Sequence, residues 1–191
     1  MRAAASWLTV LWGRVPEGDE RRATHAALVA AAARLTGRPA GLIRLAYDPG
    51  GRPRLTGPAA DLKVSLSHAG GVSAVALGRG PAELGIDIEP LRPLPAAALA
   101  RRWLDVAAAE WLTALPEHQH PEAFLTLWTR KEALGKARGH GLRAGGLHHP
   151  VPLPTLWPPT ARLHLPPRPG APTTTVAMVG TTRAVVSVAL E

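Results

Sequence analysis

Apolar and polar positions along the chain alternate between strand-like and helix-like stretches, and those changes outline the fold. Ser6 to Trp12 is a short apolar run rich in Trp and β-branched residues, the composition of a strand. Val15-Pro16-Glu17-Gly18 reads as a turn, and Asp19 to Leu35 as a helix opened by acidic residues at its positive end. Gly37-Arg38-Pro39 ends that helix. Leu42 to Tyr47 predicts a strand, followed by a tight loop over Asp48-Pro49-Gly50-Gly51-Arg52-Pro53. Three further strands are expected at Leu62 to Ser67, Val72 to Leu77 and Leu84 to Glu89, with glycine-bearing turns between them.

After Pro95 the pattern becomes helical, over Ala96 to Leu115 and again over Pro121 to Ala137. Arg143 to Pro172 is dense in proline and reads as extended loop with one strand near Ala161 to Leu165. Thr173 to Val179 and Arg183 to Leu190 predict the last two strands. Strand, helix, strands, helices and strands in that order imply an α+β fold. Two small lobes, each pairing a helix with a sheet, are expected at residues 1–92 and 93–191 of one compact unit, joined near Pro90-Leu91-Arg92-Pro93. No exact internal repeat marks the duplication.

Length and charge narrow the chemistry. A chain of 191 residues can bury a core of its own. Lys and Arg number 22 against 14 Asp and Glu, so polyanions or acidic partners are favoured, although a generally arginine-rich composition would give the same balance. Lys63, Lys131 and Lys136 are the only lysines, and two of them fall in Arg130-Lys131-Glu132-Ala133-Leu134-Gly135-Lys136. A compact ammonium kept where arginine is the usual choice hints at contact with phosphate. There is no cysteine, which excludes disulfides, thiolate metal sites and a cysteine nucleophile. No window reaches bilayer-spanning length, and the first residues lack the charged head and long apolar run of a secretory leader. A soluble cytoplasmic protein is the expectation.

Four short segments carry candidate chemistry. In Gly85-Ile86-Asp87-Ile88-Glu89 strand alternation sends Ile86 and Ile88 to the core and sets Asp87 and Glu89 together on the other face. Like charges so close need water or a cation between them, and two carboxylates without a soft ligand favour a hard ion such as Mg²⁺. A wet acidic strand face is the plainer alternative. In the second helix, Trp128, Glu132 and Lys136 share one stripe with Lys131 adjacent. A routine helix ion pair would look the same, but would leave the weakening glycines Gly135, Gly139 and Gly141 unexplained. Ser65-Leu66-Ser67-His68-Ala69-Gly70-Gly71 presents hydroxyls and an imidazole at a strand end. It lacks the elbow of a serine nucleophile. Arg52, in Gly51-Arg52-Pro53, is the fourth candidate.

Taken in order, Gly51-Arg52-Pro53, Ser67-His68, Gly85 to Glu89, Trp128 to Lys136 and Gly139-His140-Gly141-Leu142 resemble the surfactin-type 4'-phosphopantetheinyl transferases, from about Asp19 to Leu142. The resemblance implies that family's fold, two similar α/β lobes related by a pseudo-twofold with the active site between them. It implies that Asp87, Glu89 and Glu132 bind Mg²⁺, with Mn²⁺ as a substitute, and that Lys131 and Lys136 hold the diphosphate of coenzyme A. His68, Ser67 and Arg52 would face the nucleotide end. The first-helix contact falls by spacing on Arg21, with Arg22 next to it. The implied reaction transfers phosphopantetheine to a serine of an acidic apo carrier protein and releases 3',5'-ADP, with Asp87, Glu132 and Lys136 as the catalytic set and Glu132 taking the serine proton. A monomer without nucleic-acid or membrane partners is expected, with Arg102, Trp103 and Leu104 contributing to the carrier contact. Val64-Ser65 replaces the family's Phe-Asn before the Ser-His turn, and the proline-rich stretch has no counterpart. The competing readings are a metal-dependent nuclease, whose acid-x-lysine unit would lie on a strand, and a non-catalytic phosphate- or nucleic-acid-binding module.

Overall fold

The structure, a computed structural model, describes residues 7–80, 82–139, 150–164 and 169–191. In chain order the elements are β1 (Leu8–Arg14), α1 (Glu20–Thr36), β2 (Arg44–Tyr47), β3 (Pro53–Thr56), β4 (Lys63–Ala69), β5 (Val72–Gly78), β6 (Leu84–Pro90), α2 (Ala96–Trp103), α3 (Val106–Thr113), α4 (His120–Arg138), β7 (Thr173–Val179) and β8 (Thr182–Leu190). They form two three-stranded antiparallel sheets, β1-β5-β4 and β6-β8-β7, and a hairpin of β2 with β3. The fold is α+β, as its pattern predicts. Gly70 and Gly71, both at positive φ, close the β4–β5 hairpin in the only backbone region that matches strand twist over two residues.

Three expectations change. The helix expected over Ala96 to Leu115 is two helices, because Asp105 leaves the helical path and its carboxylate accepts the Ala108 N–H at 3.0 Å, starting α3 afresh. The loop at Gly51-Arg52-Pro53 runs directly into β3, which pairs Leu55 with Leu45 across the hairpin. Near Ala161 there is no strand among the described residues, only an isolated bridge between Thr160 and Thr175. Leu165, the tail from His140 to Leu142 and the first part of the proline-rich stretch lie outside the described residues.

The layers follow from strand alternation. Ile86 and Ile88 of β6 join Val186 and Val188 of β8 and Val72, Ala74 and Ala76 of β5 in a core between the two sheets. The outer face of the first sheet packs Val64, Val75 and Leu77 against Leu28, Ala31 and Ala32 of α1. The outer face of the second sheet carries α4, which lies on β6 and β8 and is backed by α2 and α3. Each sheet therefore has its own helix, and the sheets meet face to face. Strand β6 precedes the Pro90–Pro93 junction in sequence but hydrogen bonds to β8, so chain order and sheet membership part company at that strand.

The seat of α4 on β6 depends on a missing side chain. A Cβ at Gly85 would stand 1.8 Å from the Ala133 carbonyl oxygen and 2.7 Å from the Ala137 nitrogen, both backbone atoms of α4. Gly85 is what lets the helix approach the strand carrying Asp87. Gly85→Ala should therefore cost at least about 2 kcal/mol in chemical denaturation, through helix displacement. Gly13→Ala, where nothing lies within 4 Å of the added carbon, should cost essentially nothing.

Candidate active site

Asp87 is the centre of the site. It is 5 % exposed, on the face of β6 beneath α4. Its Oδ1 accepts the Ser67 hydroxyl at 2.7 Å and the Lys136 ammonium at 2.7 Å. Lys136 also donates to the Ile86 carbonyl at 3.0 Å, so the ammonium is held against β6 by two contacts. Alternation along β4 places Ser65 and Ser67 on one side, toward β6, where Ser65 Oγ accepts the Ile86 N–H at 3.1 Å. Two serines thus fasten the first sheet to the edge of the second at the carboxylate. Ser65 is a residue that the motif reading passed over, and its even spacing from Ser67 was the available signal.

Glu132 lies one turn before Lys136 on α4. Burial, then the Asp87 charge, pushes its carboxyl up to about 7, with Lys136 opposing and Glu89 adding to the rise. Glu89 is raised too, chiefly by burial and also by Asp87, while an ion pair with Arg92 at 2.8 Å pulls the other way. Three carboxylates consequently feel one another in a half-buried cleft with one ammonium among them. No three acidic or imidazole groups among the described residues are drawn into a ready-made metal cage. The donor set nevertheless fits a hard divalent cation. It is all oxygen, its charges repel, and Asp87 Oδ2 is buried with no hydrogen-bond partner. Glu132 and Lys136 stand on a helix, not on the strand that a nuclease acid-x-lysine unit occupies.

The other expected residues fall into two groups. Arg52 reaches from its loop to the far end of α4, donating to the Ala137 carbonyl at 2.7 Å and pairing with Glu83, which also binds Lys63. Exposed His68 and Arg21 flank His25, whose pKa is lowered by burial first, then by Arg21 and then by His68. His25 Nε2 is 2.8 Å from the Tyr47 hydroxyl, which adds two residues absent from the sequence reading. Arg22 pairs instead with Asp19. Lys131 is not brought to the carboxylates. It is 4 % exposed, about 100° around α4 from Glu132, and burial lowers its pKa against the opposing field of Asp105.

Comparison with known proteins places the chain in a family. The 4'-phosphopantetheinyl transferase superfamily matches residues 83–181, which carry Asp87, Glu89, Glu132 and Lys136. The chain belongs to that superfamily. It is 34% identical over 105 residues to the 4'-phosphopantetheinyl transferase HetI of Nostoc sp., covering 53% of this chain and 44% of that protein. It is 33% identical over 138 residues to the 4'-phosphopantetheinyl transferase AcpT of Salmonella typhimurium, covering 68% of this chain and 65% of that protein. A putative 4'-phosphopantetheinyl transferase of Synechocystis sp. is 30% identical over 112 residues, 58% of this chain and 45% of that protein. The chain therefore spans about half the length of two of these relatives and just under two thirds of the other.

The raised Glu132 carboxyl makes stability depend on pH. Its ordinary value is 4.5 and its folded value about 7, so the folded chain binds the extra proton between them. The resulting stability is complete below about pH 4.5 and is lost as pH rises through about 7. Thermal melts of the metal-free protein should fall in Tm between pH 5 and pH 8 (both about), and Glu132→Gln should flatten that part of the slope. Millimolar Mg²⁺ should raise the wild-type Tm more at the alkaline end, where the carboxylate is ionised.

Proposed function

We propose that this protein transfers the 4'-phosphopantetheine arm of coenzyme A to a serine of an apo carrier protein, in the manner of the surfactin-type branch of its superfamily, with Mg²⁺ at the carboxylates. The observation that carries the reading is the buried Asp87 carboxylate, tied to Ser67 and Lys136, with Glu132 and Glu89 in its field. Asp87, Glu89 and Glu132 would hold the cation, and the orphaned Asp87 Oδ2 is the atom most in need of it. The cation would neutralise charge on the diphosphate.

The chain's own groups account for the remaining steps. Lys136 is already at the site and would exchange Asp87 for a phosphate oxygen as the cation takes over the carboxylate. Glu132 would accept the proton of the carrier serine as its oxygen attacks the phosphorus on the pantetheine side. The bridging P–O bond breaks and 3',5'-ADP leaves. His68, Arg21 and Arg52 would bind the nucleotide end, and Ser67 would position Asp87 as well as line that path. Lys131 is buried further round α4, in the field of Asp105, so Lys136 is the ammonium we assign to the diphosphate.

The carrier would be acidic, steered by a net charge of +8. The end of α2 supplies an aromatic and cationic contact point, with the Arg102 guanidinium 4.9 Å from the Trp103 ring centroid. No described helix is long and apolar enough to cross a membrane. The reading includes a monomer acting in the cytoplasm on a carrier of fatty acid, polyketide or peptide synthesis.

The test is incubation with coenzyme A, Mg²⁺ and a panel of apo carriers. Mass spectrometry should find the phosphopantetheine increment on a carrier serine; its absence from every carrier would remove the proposal. Asp87→Ala and Glu132→Ala should each lower turnover on the order of a hundredfold or more. His68→Ala should weaken coenzyme A about tenfold while leaving dephospho-coenzyme A nearly unchanged, and equal losses for the two would retire its role at the 3'-phosphate.

A further inference from the structure

We propose that the cavity between α4 and the proline-rich segment is a second ligand site, built for a small organic anion with an apolar body and one carboxylate. The cavity holds about 490 Å³. Its floor is α4, through Thr126 and Arg130, and its walls are residues 152–156 and the start of β7. It opens on the opposite flank of α4 from Glu132 and Lys136, since Arg130 and Glu132 lie about 200° apart around the helix. Neither the superfamily match nor the proposed transfer reaction gives it a task.

Two buried polar groups line this space, one without a counter-charge and one without a hydrogen-bond partner. Arg130 is 7 % exposed, and its contacts among the described residues are neutral: the Pro152 carbonyl at 2.9 Å, with the Leu153 carbonyl and the Thr174 hydroxyl each at a weaker 3.4 Å. No carboxylate pairs with it among the described residues, and burial alone pulls its pKa down to about 10. A buried guanidinium without a counter-charge is costly, and its fork has more N–H groups than these contacts use. One turn earlier, Thr126 is fully buried and its hydroxyl has no hydrogen-bond partner. Both groups line the same cavity. A carboxylate in the cavity could accept from the guanidinium, and from the buried threonine hydroxyl once that side chain turns toward it.

The walls determine the rest of the ligand. Leu153, Leu156, four prolines and Ala171 supply half of the lining, and Leu156 is left 70 % exposed at the rim. That surface favours an aryl or branched alkyl body over a bare inorganic ion. A single buried cation matches a single negative charge, so a dianionic phosphate is disfavoured.

Isothermal titration of the full chain with benzoate tests the site, using benzamide as a neutral isostere and inorganic phosphate as the bare anion. Benzoate should bind one to one, with benzamide and phosphate each at least about tenfold weaker. Arg130→Gln should abolish benzoate binding, and Thr126→Val, which keeps the volume, should weaken it severalfold with the Tm maintained or raised. Lys136→Met, on the other flank, should leave it unchanged. The proposal is overturned if benzoate fails to bind at about 10 mM, if benzamide or phosphate binds as well, or if Lys136→Met rather than the cavity variants removes binding. Should Arg130→Gln not fold, full-strength binding to Thr126→Val would overturn it equally.

Discussion

A carboxylate can be taken out of water only if something nearby satisfies it, and the placement of Asp87 governs much of this molecule. Its strand must be covered well enough to bury it and its helix close enough to bring a cation. Gly85 meets the second requirement by letting the backbone of α4 rest on β6. Lys136 and Ser67 then converge on one carboxylate oxygen, one from α4 and one from the first sheet. The ionic centre is also the joint between the two sheets. Loosening either partner would disturb both the chemistry and the interface.

The other oxygen of Asp87 is left unsatisfied, and the two glutamates beside it are pushed toward protonation. Neighbouring carboxylates that serve stability alone gain little from such an arrangement, because each raises the cost of ionising the others. A half-buried acidic cluster with one incomplete oxygen and a single ammonium is better suited to exchanging partners. Lys136 stabilises Asp87 in the chain by itself, and a cation with its phosphates can replace that contact. The strain is confined to a few atoms of the cleft. Around them the two sheets pack through uninterrupted aliphatic residues.

Much of this was legible in the sequence, for identifiable reasons. The helices α1 and α4 follow their helix-forming composition and the strands from β4 to β6 their apolar runs between glycine turns, and the alternation at Ile86, Asp87, Ile88 and Glu89 sends each side chain to the face expected. The break between α2 and α3 was hidden in a run of helix-forming residues, although Asp105 stands where an N-cap would. Contacts across the chain were less accessible. Ser67 meets Asp87 only because β4 and β6 lie side by side, and no local pattern specifies that adjacency. Lys131 and Lys136 look equivalent along the chain, but the helical turn gives them different surroundings.

Arg130 carries the same argument further, because in sequence it is one more arginine in an arginine-rich chain. Its environment is made by Pro152, Leu153 and Thr174, which are remote along the chain. A row of hydroxyls runs beneath α4 from that side. Thr174 meets Ser187 at 2.8 Å and Ser187 meets Thr129 at 2.8 Å, while Ser187 stands opposite Asp87 in the β6–β8 ladder. The polar groups under α4 therefore form a band across the sheet, between aliphatic residues above and below. At one end an acidic cluster exceeds its cation, and at the other a cation lacks its acid. The helix between them has little freedom to neutralise either end internally, since Gly85 pins its height and the two charges project from opposite flanks. Ligands of opposite sign are the remaining way to balance the two ends.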